Sequence, residues 1–199
     1  KDAVIKFFKT EKCENYDDCI KWARLLFEDM FNFKIRDLQN QFPRDYVTNE
    51  GLPFWTGNKR FPEPQIYDPN NSYHAEFIES AATLRARVNG IKPEEGASQK
   101  AASVEVPEWT PSSKKIKLEN DNSNEDNVDN DEEGSFEEIA ALLENCKPLF
   151  NETFEKDDDS NGHIDFISSA ANIRALNYQI ETKDKLEIKR IAGKIIPAI

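Results

Sequence analysis

Asp157, Asp159 and Asn161 alternate along residues 156–168, "KDDDSNGHIDFIS", with Gly162 next and Asp165 beyond. Oxygen ligands at alternate positions around a turn-making glycine are the pattern of a calcium loop, which a bidentate glutamate completes at the twelfth position. Here that position holds Ser168, so the completing ligand is lost. A second stretch offers Asp68, Asn70, Ser72, Glu76 and Glu79 at the same spacing, but Tyr73 stands where the glycine belongs and Pro69 interrupts the start. Neither stretch follows a helix: "KRFPEPQIYDP" carries Pro62, Pro64 and Pro69, and "KPLFNETFEK" carries Pro148. Capping suits these residues better. Asp, Asn and Ser ahead of a helix accept its free N–H groups and favour its positive dipole end. No metal site is expected.

Cysteine chemistry is the other possibility, and a nucleophilic thiol needs a base or a positive site to lower its pKa. Cys19 lies on the apolar face of a helix pattern and reads as core; Cys146 ends an amphipathic segment and reads as structural. Cys13 sits in "TEKCENYDD" and reads as exposed, ringed by Glu11, Glu14, Asp17 and Asp18, acids that raise a thiol's pKa. Three cysteines and two histidines make no zinc pattern, and the odd count points to a reducing compartment. The residues propose no self-contained active site.

The elements that would position these groups are helical. From Asn15, a plausible N-cap, Cys19, Trp22, Ala23, Leu26, Phe27, Met30 and Phe31 follow helical spacing. A shorter helix covers Ile35 to Gln41, stopping before Pro43, and "NEGLPFWTGNKRFPEPQIYDPNN" reads as a long ordered loop pinned by Phe54 and Trp55 or, alternatively, as a binding surface. "HAEFIESAATLRARVNGI" (74–91) and "HIDFISSAANIRALNYQI" (163–180) align without gaps, with nine identities in eighteen positions. His74 matches His163, Phe77 matches Phe166, Ala81 and Ala82 match Ala170 and Ala171, and Arg85 matches Arg174. Two related helices in two related lobes follow. Between them, "KPEEGASQK" reads as linker, "ASVEVPEW" as a strand or extended arm, and "KKIKLE" as a short strand. Residues 119–133 hold eight acids among asparagines and are expected to be a disordered insert, after which Ser135 caps "FEEIAALLENC".

The chain as a whole has 199 residues, 38% hydrophobic and 32% charged, with net charge −12. Such a surface repels phosphate backbones and argues against nucleic acid as a partner. No apolar run approaches the roughly 20 residues that span a bilayer, so no membrane partner is expected. The chain begins at Lys1 with "VIKFF" already apolar and stops in "IAGKIIPAI"; both ends read as cut from a larger protein.

Two blocks carry a family resemblance. "QFPRDYVTNEGLPFWTGNKRFPEPQIYD" resembles the stretch of ubiquitin-activating enzymes running from a Phe-Pro pair through a Pro-Phe-Trp and Lys-Arg loop. "FEKDDDSNGHIDFISSAANIRALNYQI" followed by "IAGKIIPAI" is similar to a later part of the same enzymes. The resemblance covers most of residues 13–110 and 153–199 and is to the second catalytic cysteine half-domain. It implies an enzyme that adenylates ubiquitin with ATP and magnesium, carries it as a cysteine thioester and passes it to a conjugating enzyme. The family's nucleophile lies in a Cys-Thr motif upstream of the matched blocks, and no Cys-Thr pair occurs here. No catalytic, cofactor-binding or metal residue is therefore carried over. ATP and magnesium belong elsewhere in the parent, the isolated segment is expected to be inactive, and Asp157, Asp158 and Asp159 are candidates for polar support near the thioester site.

The resulting expectation is a mainly α-helical protein. Residues 1–92 form a first lobe with its Pro/aromatic loop, 93–134 an extended linker with the acidic insert, 135–190 a second lobe, and 191–199 a crossover toward an adenylation domain. Trp22, Phe27, Phe77 and Phe166 are expected in the core. The expected partners are ubiquitin, conjugating enzymes and the rest of the parent chain, in the cytoplasm and nucleus. A helical adaptor without catalytic role, or an activating enzyme for another ubiquitin-like modifier, are the alternatives.

Overall fold

A computed structural model describes residues 2–113, 116, 134–144 and 146–195. The readings of "KKIKLE" as a strand and of 119–133 as a disordered insert fall almost wholly outside these residues. Helices dominate: α1 (Asp2–Ile5), α2 (Tyr16–Phe27), α3 (Lys34–Gln41), α4 (Ser72–Val88), α5 (Ala97–Ala101), α6 (Gly134–Glu144), α7 (His163–Asn177) and α8 (Lys185–Ile195). Among the described residues the sole strand-like pairing is the Val47–Pro53 bridge. The arm after α5 runs extended without a ladder; Trp109 Nε1 and the Ser112 amide both donate to Asp37 Oδ1 at 3.1 Å and hold it against α3. Two details differ from the sequence pattern. Residues 97–101 close a helical turn within the linker, and α6 begins at Gly134, placing Ser135 inside the helix.

Asn15 caps α2 as its sequence predicts. Its Oδ1 accepts the Asp18 amide at 3.0 Å, and Asp18 Oδ2 accepts the Asn15 amide at 3.2 Å, satisfying two orphan donors reciprocally. The helix does not stop at Phe27 but continues through π-helical Glu28–Phe33 into α3. Widening the turn releases backbone carbonyls from the helix ladder. Met30 O accepts Arg174 Nη2 at 2.9 Å, and Phe31 O accepts both the Gln65 amide and Asn177 Nδ2 at 2.9 Å. A polar ladder stiffens the same stretch one turn at a time: Arg24 pairs with buried Glu28, Asn32 donates to Glu28, and Arg36 Nε donates to Asn32 Oδ1 at 2.7 Å.

The two repeat helices lie in one core. Phe77 of α4 and Phe166 of α7 meet at 5.3 Å between ring centres, so the matched phenylalanines touch each other. Phe27, Phe31 and Phe77 are fully buried in mutual contact, Phe77 edge-on to both of the others, each burial worth about 1.5–3 kcal/mol; Trp22 and Phe166 are partly exposed at the margin. Ala81, Ala82 and Ala86 allow the close approach of neighbouring helices. In the long loop, Phe42 stacks on Phe54 at 4.7 Å and Trp55 Nε1 donates to the Phe42 and Pro43 carbonyls at 3.0 Å. The residues 191–195 continue α8 as helix.

Candidate functional site

The repeated segments share more than their helices. Asp68 Oδ1 accepts the Asn70 amide at 2.9 Å, and Asp158 Oδ1 accepts the Ser160 amide at 2.8 Å, forming the same local turn. Asn71 Oδ1 then caps the Tyr73 and His74 amides at 3.0 and 3.3 Å, as Asn161 Oδ1 accepts the His163 amide at 2.8 Å. Ser72 and Tyr73 separate Asn71 from His74, whereas Gly162 alone separates Asn161 from His163. The turns therefore correspond with one residue fewer in the second copy. Asp158, not Asp157, is the counterpart of Asp68, and Gly162 bridges the shortened link in the left-handed region at φ +81°. These oxygens serve the backbone, and among the described residues no three His, Cys, Asp or Glu side chains converge as a cation would require.

The matched histidines do the same work. Nδ1 of His74 accepts the Asp68 amide at 3.1 Å, and Nδ1 of His163 accepts the Glu155 amide at 3.0 Å. Each ring thus holds the chain that leads into its helix. The Nε2 of His163 donates to Glu152 Oε1 at 3.1 Å, and Arg87 Nη1 also donates to that carboxylate at 3.3 Å. Nε2 of His74 is buried with no partner, its ring edge-on to Phe27 at 4.8 Å. Burial holds the His74 pKa below its ordinary value. The matched arginines also repeat a role: Arg85 Nη2 donates to Glu11 O at 2.7 Å with its guanidinium over Phe7 and Trp22, and Arg174 Nη2 donates to Met30 O with its guanidinium over Phe31.

Asp157, Asp158 and Asp159 are neighbours in sequence with separate partners in space. Asp157 pairs with Lys156 at 2.6 Å, Asp158 accepts Ser160 Oγ and N, and Asp159 pairs with Lys189 of α8 at 2.7 Å. All three are exposed. Lys156 lowers the Asp157 pKa, and the Ser160 hydroxyl and amide lower that of Asp158. They form an acidic turn on the surface rather than a converging pair of carboxylates.

The cysteines require a correction. Cys13 is not an exposed thiol governed by surrounding acids; it is buried, 5% exposed, in the same core as Cys19. Its pKa is pulled down to about 7 by a hydrogen bond from the Cys19 thiol and by the Arg85 guanidinium, against the opposing effect of burial. The Cys19 thiol, facing Cys13, is pushed up. The decisive cation comes from α4, over seventy residues away, which is why the local acids misled. Arg85 also lines a cleft of about 350 Å³ walled by Phe7, Trp22, Leu84, Val88 and Phe154, with Glu152 and His163 at its rim.

Two asparagines escaped sequence reasoning because their roles are entirely tertiary. Asn177, fully buried, donates from Nδ2 to both Phe31 O (2.9 Å) and Glu63 O (2.7 Å), and its carbonyl accepts the Glu63 amide at 2.6 Å. It joins α7, the π-helical turn and the long loop. Asn172 clasps the Lys183 backbone by donating to its carbonyl and accepting its amide, both at 2.9 Å, which fixes the link between α7 and α8. Their repeat counterparts, Val88 and Thr83, lack the amide that each role needs.

This arrangement has recognisable relatives. The family model for the ubiquitin-activating enzyme SCCH domain matches residues 1–189. The chain belongs to that family. It is 43% identical over 210 residues to the ubiquitin-like modifier-activating enzyme 1 of Dictyostelium discoideum, covering 99% of this chain and 21% of the relative. It is 39% identical over 204 residues to ubiquitin-activating enzyme E1 1 of Schizosaccharomyces pombe, covering 97% and 20%. With the human ubiquitin-like modifier-activating enzyme 1 it shares 39% over 210 residues, covering 100% and 20%. The chain thus spans about a fifth of the length of these relatives.

Proposed function

We propose that this SCCH-domain segment works within an ATP-dependent ubiquitin-activating enzyme, as the scaffold that positions a thioester-forming cysteine lying outside it. The observation that carries this reading is the family match across residues 1–189, together with relatives that align over nearly the whole chain. In the intact enzyme, ATP activates the ubiquitin C-terminus as an acyl adenylate; a cysteine thiolate takes the acyl group, and a conjugating enzyme receives it. The three cysteines of this segment suit none of these steps. Cys13 and Cys19 are buried, and among the described residues Cys146 Sγ has the Leu143 carbonyl as its polar contact, at 3.2 Å. The magnesium and nucleotide are assigned to other parts of the parent. The Asp157–Asp159 turn would present ionised oxygens at the surface near the transferring groups, and the protein would act in the cytoplasm and nucleus.

The test is the intact chain incubated with ubiquitin, ATP and magnesium and run on a non-reducing gel. The proposal predicts a ubiquitin adduct that thiol reductant removes. An adduct with another ubiquitin-like modifier and none with ubiquitin would keep the mechanism and change the substrate. No adduct with any modifier would favour a helical adaptor. Charge neutralisation of Asp157, Asp158 and Asp159 to Asn should slow transfer to the conjugating enzyme without lowering adenylate formation; equal slowing of both steps would refute their assigned role.

A further inference from the structure

The cleft beside Arg85 has the make-up of a small-molecule site. Its volume of about 350 Å³ suits a compact organic molecule, and its walls are apolar with a few polar groups. The π-helical turn Lys6–Thr10, α2, α4, α7 and the chain at Phe154 all contribute to it. The surrounding carboxylates are already engaged. Glu11 pairs with Lys6 at 2.8 Å and accepts Trp22 Nε1 at 3.2 Å; Glu152 takes Arg87 at 3.3 Å and His163 at 3.1 Å. Arg85, only 8% exposed, faces no carboxylate among the described residues. Its guanidinium carbon lies 4.0 Å from the Phe7 ring centre and 4.7 Å from that of Trp22, and its enclosed Nε–H has no partner.

The repeat shows what the first copy lacks. Arg174 donates to the Met30 carbonyl, as Arg85 does to that of Glu11, but it has a further acceptor in Asn177 Oδ1 at 3.5 Å. The position equivalent to Asn177 is Val88, an apolar wall of the cleft. Where the second copy places an amide oxygen, the first leaves a space lined by Val88 and the cation. An enclosed cation attracts an anion strongly because little water screens it. We propose that this cleft binds a small aromatic monocarboxylate. The flat body lies among Phe7, Trp22, Phe154 and Phe166, and the carboxylate offsets the Arg85 charge. Glu152 at the rim disfavours a second negative charge on the ligand. The bound molecule would tie the Lys6–Thr10 turn to α4 and α7, which goes beyond the scaffold role.

The probe is naphthoate, titrated calorimetrically into the intact protein without nucleotide or ubiquitin, with neutral naphthamide and a naphthalene dicarboxylate as controls. Naphthoate should bind, and both controls should bind about ten-fold more weakly or worse. Val88→Asn gives Arg85 the acceptor that Arg174 has and should weaken naphthoate by about ten-fold. Leu84→Trp narrows the cleft without altering its charge and should weaken all three ligands. Both positions are half-buried, and the urea midpoint of each variant reports whether it folds. No naphthoate binding to the wild type, or equal binding of naphthamide, would overturn the proposal whatever the variants do. So would naphthoate binding that persists unchanged in either variant once folded, since the probe would then sit elsewhere.

Discussion

The two repeat helices end in the same backbone device with different residues. After α4, Gly90 takes φ +65° and the Ile91 amide donates to Ala86 O at 2.8 Å; after α7, Gln179 takes φ +48° and the Ile180 amide donates to Ala175 O at 2.9 Å. Both are left-handed helix ends of the kind that favours glycine. Gln179 bears that conformation with a Cβ, at a cost of about 1–2 kcal/mol. Gln179→Gly removes the strain but gives the unfolded chain about 0.4–1 kcal/mol of added freedom, leaving a net gain of about 0.5–1 kcal/mol. Little else is lost. Among the described residues the Gln179 side chain makes a single 3.4 Å hydrogen bond, to Asn177 O, and its backbone carbonyl still accepts Arg60 Nη1 at 2.7 Å. Native-state hydrogen exchange in the intact chain reads the local effect, and the Ile180 amide should become roughly two- to five-fold more protected. Gly90→Ala should do the reverse at Ile91, because the φ is strained and the new Cβ would lie 2.5 Å from the Phe150 ring. Unchanged or weaker protection at Ile180 in Gln179→Gly, with the expected loss in Gly90→Ala, would refute the equivalence of the two helix ends.

Asn177→Ala should be among the most disruptive single changes, losing about 2–4 kcal/mol as the Phe31 and Glu63 carbonyls are left unpaired, measured by urea unfolding of the intact chain. Asn177→Asp should not rescue it, since a carboxylate cannot donate. Glu28→Ala leaves the largely enclosed Arg24 without its counter-charge and should cost about 3–5 kcal/mol by the same measurement; a cost below 1 kcal/mol would mean that the Arg24 charge finds water. His74 is held neutral by burial, so the unfolded chain takes up the proton first. Its stabilising effect is therefore complete above the ordinary value of 6.5 and declines as pH falls below it toward the depressed folded value. His74→Gln should flatten that part of the stability–pH curve, and an unaltered slope would assign the pH dependence to other groups.

Much of this architecture was legible in sequence because it depends on local pattern. The α2 spacing with Asn15 ahead of it identified the helix and its cap, and nine identities exposed the repeat before any coordinates. Capping accounts for Asn71, which accepts the first amides of α4, whereas Asn161 accepts the His163 amide beside the Gly162 N-cap of α7 and the acids themselves take loop amides and lysines. What was not legible depends on distant groups. A gapless alignment could not show that Gly162 absorbs a missing residue, because the turns resemble each other in hydrogen bonding rather than in letters. The π-helical widening at Glu28–Phe33 keeps an ordinary helical spacing of apolar residues, so only its tertiary acceptors reveal it. Cys13 was read from Glu11, Glu14, Asp17 and Asp18, whereas Arg85 and Cys19 determine its state. Asn172 and Asn177 look like ordinary polar residues of a helix until their backbone partners are in view.

The central claim is that this domain supports a thioester whose cysteine lies outside it, and one measurement tests it most directly. Cys13, Cys19 and Cys146 are replaced together by Ser in the intact chain, and adduct formation is followed with ubiquitin, ATP and magnesium on non-reducing gels. The account predicts a reductant-sensitive ubiquitin adduct at close to the wild-type level. A folded triple variant that still makes the adenylate but forms no adduct would place the nucleophile within this segment and contradict the account.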